Sequence, residues 1–203
     1  MYKDPYYTET DQALVLKFMK ENYFATLTAG GSPYPVATHL PLHVDETKEG
    51  IILSGHLMKH SDHYKVFSTN ENVLVMFNGP HSYVSASWYA EPPMGSTWNY
   101  MTVHAKGKII FKDEAATVAA VKKITGLHEG LNNKASFDKL PAGYVAGMVK
   151  AIVAFDIEVK ELENVFKLSQ NRTIESKKNI AAELMKKEDS GSRKIAEEIL
   201  KRI

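Results

Sequence analysis

A run rich in histidine and lysine, from Gly55 to Tyr64, is the stretch of this 203-residue chain best suited to hold an anion. It follows an apolar, strand-like segment, Ile51–Ser54, and Ser61 can cap a short helix behind it. The free N–H groups and the positive dipole end at the start of a helix attract anions, phosphate above all. The residues predicted to form this phosphate site are Gly55, His56, Lys59, His60 and Ser61.

The same histidines allow a zinc site as an alternative. His56 and His60 are four residues apart and His63 follows three later, so a continuous helix would bring them to one face. The run begins at the end of a predicted strand, however, and only Asp62 offers a carboxylate to complete the ligand set. We therefore predict no metal site.

Aromatic side chains and small hydrogen-bond donors gather around Glu91–Ser96, a connection rich in proline and glycine between two strand-like runs. Trp88 and Trp98 stand near its ends. Flat rings beside small donors suit a planar ligand with polar edges; alternatively, the tryptophans simply cover the end of a barrel, and the pattern does not choose between the two. The polar and aromatic residues around them are His81, Ser82, Tyr83, Ser85, Ser87, Asn99 and Tyr100.

The segment PYPVATHLPL, from Pro33 to Leu42, is predicted to pair with the strand before it as a hairpin. Pro41 has no N–H for a β-ladder, so this strand is expected at an edge or a bulge, where its backbone is free to meet a ligand.

The run Phe166–Arg172 forms a polar turn after the last predicted strand. It either caps the next helix, through Asn171 or Thr173, or brings Gln170 and Arg172 to a ligand or a partner subunit.

Composition excludes several classes of protein. With no cysteine, the chain has no disulfide, no thiolate metal site and no cysteine nucleophile. No apolar run approaches the ~20 residues of a membrane-spanning helix, and the N-terminus lacks a signal-peptide pattern, so we expect a cytoplasmic protein. A net charge of +1 argues against strong, sequence-independent binding to nucleic acid.

The elements that must position these groups are mainly strands. Strict alternation between Asn99 and Ile109 predicts a strand with one buried face. Asp45–Gly50 is predicted as a charged turn, the strand after it is expected to end at Gly55, and Asp113 is expected to cap a helix. Two tail helices are predicted, separated by Ser190–Gly191–Ser192. About seven strands with a few inserted or appended helices predict an α+β barrel.

Several segments, in one order, resemble the PaiB family of FMN-binding negative transcriptional regulators. The similarity spans about residues 1 to 185. The segments are ENYFATLTAGG, ATHLPLHVD, LSGHLMKHSDHY, MFNGPHSYVSASWY, TWNYMTVHAKGKI, IVAFDIEV and FKLSQNR.

The resemblance implies a fold and a cofactor. The family is similar to the pyridoxamine-phosphate-oxidase-like split β-barrels, which form homodimers with two FMN sites at the interface. We therefore expect an α+β, mainly β fold: an FMN-binding split β-barrel with peripheral helices over residues 1–172, and a C-terminal helical appendage over residues 173–203.

The resemblance also implies which part of FMN each group of candidate residues contacts. The FMN phosphate is expected near the histidine- and lysine-rich run, and Thr38, His39 and Leu40 are expected along the ring edge. The remaining residues would close the site, from either subunit, and they are Tyr83, Ser85, Trp98, Asn99, Gln170 and Arg172.

Three functions remain open at this point. The first is a repressor whose partners are a second copy of itself, FMN and DNA, although no convincing basic recognition element is visible. The second is a flavin oxidoreductase that passes a hydride through FMN, for which no catalytic residue is predicted. The third is a structural domain with an empty cleft, or one that holds haem or another planar cofactor.

Overall fold

Seven strands form one sheet in this protein, of which a computed structural model describes residues 1–2, 4–91, 93–130 and 133–203. The strands are β1 (Phe24–Ala29), β2 (Val36–Pro41), β3 (His43–Thr47), β4 (Gly50–Met58), β5 (Asn72–Val84), β6 (Thr97–Phe111) and β7 (Ile152–Lys167). Their order across the sheet is β2-β1-β5-β6-β7-β4-β3. Antiparallel register joins β1 to β2 and β5, and β4 to β3 and β7.

Helices lie before, between and after the strands, as the α+β prediction expects. They are α1 (Gln12–Glu21), α2 (Asp62–Thr69), α3 (Glu114–Glu129), α4 (Ala142–Ala151), α5 (Ile174–Met185) and α6 (Ser190–Leu200). Short 3-10 turns cover Pro5–Tyr7, Ala86–Trp88 and Phe137–Lys139. None of the helices formed by the described residues has both the length and the apolar composition needed to cross a bilayer.

The described chain divides into two compact units. The first unit comprises Met1–Asn22, Phe77–His104 and Glu163–Ile203, and the second comprises Tyr23–Met76 and Ala105–Leu162. The predicted boundary between residues 172 and 173 lies inside the last segment of the first unit.

The alternation of β6 is confirmed. Asn99, Met101, Val103, Ala105, Gly107 and Ile109 are all buried, whereas the residues between them are half-buried or exposed. A strand places successive side chains on opposite faces, so the hydrophobic pattern alone determines which face of β6 enters the core.

The predicted hairpin and its edge position are also confirmed. Residues Phe24 to Ala29 of β1 pair with Pro41 to Val36 of β2. Since β2 stands first in the strand order, one of its edges pairs with no strand of the described sheet, and there the missing N–H of Pro41 breaks no ladder.

The prediction that a strand ends at Gly55 is wrong. β4 continues through Gly55 and His56 to Met58, and Gly55 is buried in mid-strand. A Cβ on Gly55 would lie 2.9 Å from side-chain atoms of Leu42 and Phe155. Glycine is therefore required here by close packing and does not mark the end of a strand.

The predicted charged turn at Asp45–Gly50 is largely wrong as well. Asp45, Glu46 and Thr47 belong to β3, and the turn is confined to Lys48 and Glu49. β3 stands last in the strand order, and a polar edge strand of this kind carries little hydrophobic periodicity.

The helix caps show why the helices begin where they do. Asp113 Oδ1 accepts a hydrogen bond from the N–H of Ala116 at 2.8 Å, which confirms the predicted cap of α3. Ser61 Oγ accepts one from the N–H of Tyr64 at 3.3 Å at the start of α2. Each satisfies a backbone donor that has no partner within its helix.

The tail helices are confirmed, but the predicted break between them is not. Ser190–Gly191–Ser192 forms the first turn of α6, which Asp189 caps. Ser192 Oγ shares a buried 2.7 Å hydrogen bond with Ser82 Oγ, and a Cβ on Gly191 would lie 3.3 Å from the carbonyl oxygen of His81. Small residues occur here because α6 packs closely against β5 within the first unit.

Pro92, in the connection predicted between Trp88 and Trp98, lies outside the described residues, and so do Leu131 and Asn132.

Candidate functional site

The predicted site residues divide between the two units. Eight belong to the second unit: Thr38, His39, Leu40, Gly55, His56, Lys59, His60 and Ser61. Six belong to the first: Tyr83, Ser85, Trp98, Asn99, Gln170 and Arg172.

In the second unit, His56 is half-buried in β4, opposite Ala154 of β7. Burial lowers the pKa of its imidazole below the ordinary value of 6.5, because a buried site disfavours the charged form. His56 is therefore neutral at pH 7. It can offer an anion a hydrogen bond but no charge.

Lys59 and Ser61 lie where β4 passes into α2. The backbone N–H of Lys59 donates to the carbonyl of Ala151 at 2.8 Å, and its Nζ donates to the carbonyl of Val149 at 3.3 Å. Ser61 Oγ donates to the carbonyl of Met58 at 2.7 Å while it caps α2. These bonds fix the connection and leave Lys59 as a half-buried cation next to a helix N-terminus.

The other polar side chains at this N-terminus are two imidazoles and one carboxylate. His60 is exposed, and the Asp62 carboxylate accepts the N–H of His63 at 2.7 Å. Asp62 also lies 3.4 Å from Nδ1 of His63. Among the residues that the structure describes, no three His, Asp or Glu side chains form a group that could hold a metal ion.

Along the edge strand β2, the three predicted residues differ in burial. Leu40 is buried, Thr38 is half-buried and His39 is exposed, with its ring stacked against Phe24 at 6.5 Å between centroids. The side chain of Leu40 serves the core, and a Cβ on Gly55 would lie 3.0 Å from it. What β2 offers a ligand is therefore backbone and the side chains of Thr38 and His39.

In the first unit, the rings of Trp98, Tyr83 and His81 form an exposed aromatic group. The centroid of the Trp98 ring lies 6.1 Å from that of Tyr83, in an edge-to-face arrangement, and 5.8 Å from that of His81. Trp98 is 48% exposed and Tyr83 46%, so their flat surfaces remain available. Ser85 is engaged locally, since its hydroxyl shares a 2.8 Å hydrogen bond with Ser87.

Asn99 behaves quite differently from its neighbour Trp98. It is fully buried, and its Nδ2 donates to Ser169 Oγ at 2.9 Å. Its Oδ1 is buried without a hydrogen-bond partner. A buried polar atom left unpaired is costly and uncommon in folded proteins, so this oxygen is a candidate contact for a ligand.

The turn after β7 uses Gln170 for its own structure. Gln170 Oε1 accepts the N–H of Leu168 at 2.7 Å, and its Nε2 donates to the carbonyl of Phe166. Thr173 caps α5, as one of the two interpretations predicted. The Arg172 guanidinium lies over the ring of Tyr89, 4.5 Å from its centroid, as a cation–π contact.

Sequence reasoning missed other polar residues of this region. Lys167 Nζ donates to Thr97 Oγ1 at 2.7 Å, and Ser169 has a backbone φ of 60°. The Glu91 carboxylate accepts hydrogen bonds from Ser176 and from the N–H of Thr173, which hold its pKa at about 2. Lys167 and Ser169 lie in the FKLSQNR segment, which could have drawn attention to them; Glu91 gave no signal beyond its place in the connection.

Comparison with known proteins identifies the relatives of this chain. Residues 1–161 match the family described as "Putative FMN-binding domain". The chain is 33% identical over 199 residues to "Protease synthase and sporulation protein PAI 2" of Bacillus subtilis, which covers 97% of this chain and 95% of the relative. An uncharacterized protein of Emericella nidulans is 28% identical over 212 residues, with 84% of each chain covered.

Solved structures support the fold. A flavocytochrome from Azotobacter vinelandii has a TM-score of 0.61 at 14% identity, covering 81% of this chain and 72% of its own. The FAD and heme binding protein of Mycobacterium smegmatis has a TM-score of 0.57 at 12% identity, covering 79% and 73%. Likeness at these identities concerns the fold alone, and it agrees with the predicted α+β, mainly β split barrel.

The family match spans most of the chain, and the identity to the Bacillus relative extends over nearly all of it. The chain therefore belongs to the FMN-binding family predicted from its PaiB-like segments, and FMN is its cofactor.

Proposed function

We propose that this protein binds FMN as a homodimer and acts as a negative regulator of transcription. The observation that carries the regulatory part is the 33% identity, over 97% of the chain, to a relative named for protease synthesis and sporulation. Changes in protease synthesis and sporulation are effects that a regulator of gene expression produces.

The second unit offers features that fit the phosphate end of FMN. α2 is eight residues long, and the positive end of its dipole favours an anion near Ser61. Lys59 supplies charge beside it, and His60 adds a second donor. Charge-assisted hydrogen bonds of this kind contribute roughly 1.5–3 kcal/mol each. The Asp62 carboxylate repels the phosphate, so net attraction of the phosphate to this site depends on the charge of Lys59.

The ring system of FMN is tricyclic and has polar edges. The unpaired edge of β2 offers backbone donors and acceptors around Thr38, His39 and Leu40. The exposed rings of Tyr83 and Trp98 offer flat apolar surface, and we assign them to flavin contact from the partner subunit. FMN, when bound, supplies hydride or electron transfer, and the role of these residues is to bind and orient it.

A flavin titration tests the phosphate assignment. Lys59→Ala should weaken FMN binding by about tenfold or more, since it removes a charge-assisted contact worth at least ~1.4 kcal/mol. Lys65→Ala is the matched control, because Lys65 is an exposed lysine further along α2. Equal FMN affinity in the wild type and the Lys59 variant, measured by quenching of flavin fluorescence, would place the phosphate elsewhere.

The regulatory role is tested with DNA. A net charge of +1 provides little sequence-independent attraction, so a regulator built this way must recognise a specific sequence. Fluorescence anisotropy with fragments of the chain's own promoter should show binding at about 0.15 M salt that an unrelated fragment of equal length lacks. Equal binding to both fragments, or to neither, contradicts the role.

A flavin-dependent oxidoreductase is the second candidate. The unpartnered Oδ1 of Asn99 favours it, because an acceptor held ready for a small molecule serves a substrate better than it serves DNA binding. NADH or NADPH added without oxygen to the FMN-loaded protein should then bleach the flavin's visible band within seconds. A flavin that stays oxidised with both reductants would count against this candidate.

A further inference from the structure

A cavity of about 200 Å³ lies within the first unit, between the connection that precedes β6 and the turn that follows β7. Liquid water occupies about 30 Å³ per molecule, so the cavity has room for the equivalent of six or seven waters. Pockets for larger ligands begin at roughly 300 Å³. Its size therefore suits a small molecule and not a flavin. The lining residues that carry the argument are Tyr7, Thr97, Asn99, Lys167, Ser169 and Arg172.

The charged side chains among the described residues that line this cavity are Lys167 and Arg172, and both are cations. Lys167 Nζ is held by Thr97 Oγ1 at 2.7 Å and lies 5.6 Å from the centre of the Tyr7 ring. Arg172 rests on Tyr89 and contacts the sulfur of Met94, a weak acceptor, so its guanidinium retains N–H groups for a ligand. The cavity therefore favours an anion, and a carboxylate suits these two donors.

An acceptor stands in the same wall. Asn99 is 0% exposed, and the hydrogen bond from its Nδ2 to Ser169 Oγ leaves Oδ1 as the free atom. The backbone of Ser169 has a φ of 60°, in the left-handed region that residues other than glycine rarely adopt. Local strain kept next to an unsatisfied buried oxygen is typical of functional sites. A ligand that satisfies Oδ1 must donate a hydrogen bond.

We propose that this cavity binds a small hydroxy-carboxylate. Its carboxylate would pair with Lys167 and Arg172, and its hydroxyl would donate to Oδ1 of Asn99. An ammonium group could also donate, but it would face two cations with no carboxylate among the described lining residues to balance it. The inference goes beyond FMN binding and does not depend on it.

Calorimetric titration of the full chain, equilibrated with FMN, tests the proposal with two probes of similar size. Lactate carries the hydroxyl and propionate lacks it. Lactate should bind at least about fivefold more tightly, because only lactate satisfies Asn99. Equal affinity for the two acids, or binding of neither, overturns the proposal.

Two variants separate the contacts. Lys167→Met should weaken the binding of both acids about tenfold. Lys160→Met, which removes an exposed lysine earlier on the same strand, should change neither affinity. Asn99→Leu should abolish the preference for lactate and leave propionate binding in place. If Asn99→Leu does not fold, the wild-type preference and the Lys167 pair decide alone. Unchanged affinities in Lys167→Met contradict the proposal.

Competition with the cofactor completes the test. Saturating lactate should leave the affinity for FMN within about twofold, since the cavity is too small for a flavin. A loss of FMN affinity that grows with lactate concentration would assign the cavity to the cofactor and overturn the separate ligand site. Because lactate binding is measured by heat, a failure of FMN to bind would leave the lactate result readable.

Discussion

At the scale of single residues, Gly55 shows that a missing side chain can determine how tightly a core packs. An added Cβ would lie 2.9–3.0 Å from side-chain atoms of Leu40, Leu42 and Phe155, closer than carbon atoms approach in cores. Gly55→Ala should therefore lower the free energy of unfolding by about 1–3 kcal/mol, measured by urea denaturation.

Gly147→Ala is the matched control for that prediction. Gly147 lies in α4, and a Cβ there would have no atom within 4 Å. Alanine is a better helix former than glycine, so this variant should gain roughly 0.5–1 kcal/mol. If Gly55→Ala keeps or gains stability as Gly147→Ala is expected to, the contacts around Gly55 are looser than the structure shows.

His56 makes a prediction about pH. Burial lowers its pKa in the folded protein, so below pH 6.5 the unfolded chain takes up a proton that the folded chain resists. Stability should therefore fall as the pH drops from 7 toward 5, with a ceiling of about 1.4 kcal/mol per pH unit that partial exposure reduces. Thermal unfolding across this range should show a shallower decrease for His56→Gln. Parallel curves for the two proteins would mean that His56 titrates normally.

At the scale of elements, two capped helices allow a test that separates stability from binding. Ser61 caps α2 and Asp113 caps α3, each through a hydrogen bond to the N–H three residues ahead. Ser61→Ala and Asp113→Ala should each cost about 0.5–2 kcal/mol of unfolding free energy. Only Ser61→Ala should also weaken FMN binding, because only α2 is proposed to contact the phosphate. Equal FMN affinity in the two variants would remove α2 from the cofactor site.

The sequence predicted those elements in which local chemistry and burial agree. β6 alternates strictly along its buried face, and α3 begins at an aspartate whose carboxylate can cap only a helix start. The end of β4 was predicted wrongly, because a glycine in the sequence resembles a turn signal. Only the structure shows that the side chains of Leu42 and Phe155 leave no room for a Cβ at Gly55. Close approach between segments distant in sequence leaves no local pattern.

The tail illustrates the same limit. Ser190–Gly191–Ser192 resembles a linker, but in the structure it is the turn of α6 that meets His81 and Ser82 of β5. Glu91 similarly anchors the start of α5, through Thr173 and Ser176, across more than eighty residues of chain. These contacts make both helices part of the first unit.

At the scale of the whole molecule, the sequence could identify the family and the cofactor but not the arrangement of a site. Trp98 and Asn99 are adjacent in the chain, yet one is exposed and the other fully buried. Lys167 and Tyr7 line the same cavity from opposite ends of the sequence. Which polar group is satisfied and which is left for a ligand depends on tertiary packing, which no spacing rule supplies.

The proposed assembly gives the last prediction. Split barrels of this kind are expected to pair, so sedimentation equilibrium should give a mass of about 45 kDa, twice the chain mass of 22.7 kDa. Because association stabilises only the folded state, the midpoint of thermal unfolding should rise with protein concentration. FMN titration should saturate at two flavins per dimer. A protein that binds one FMN per chain while sedimenting as a monomer would show that each subunit completes the site alone.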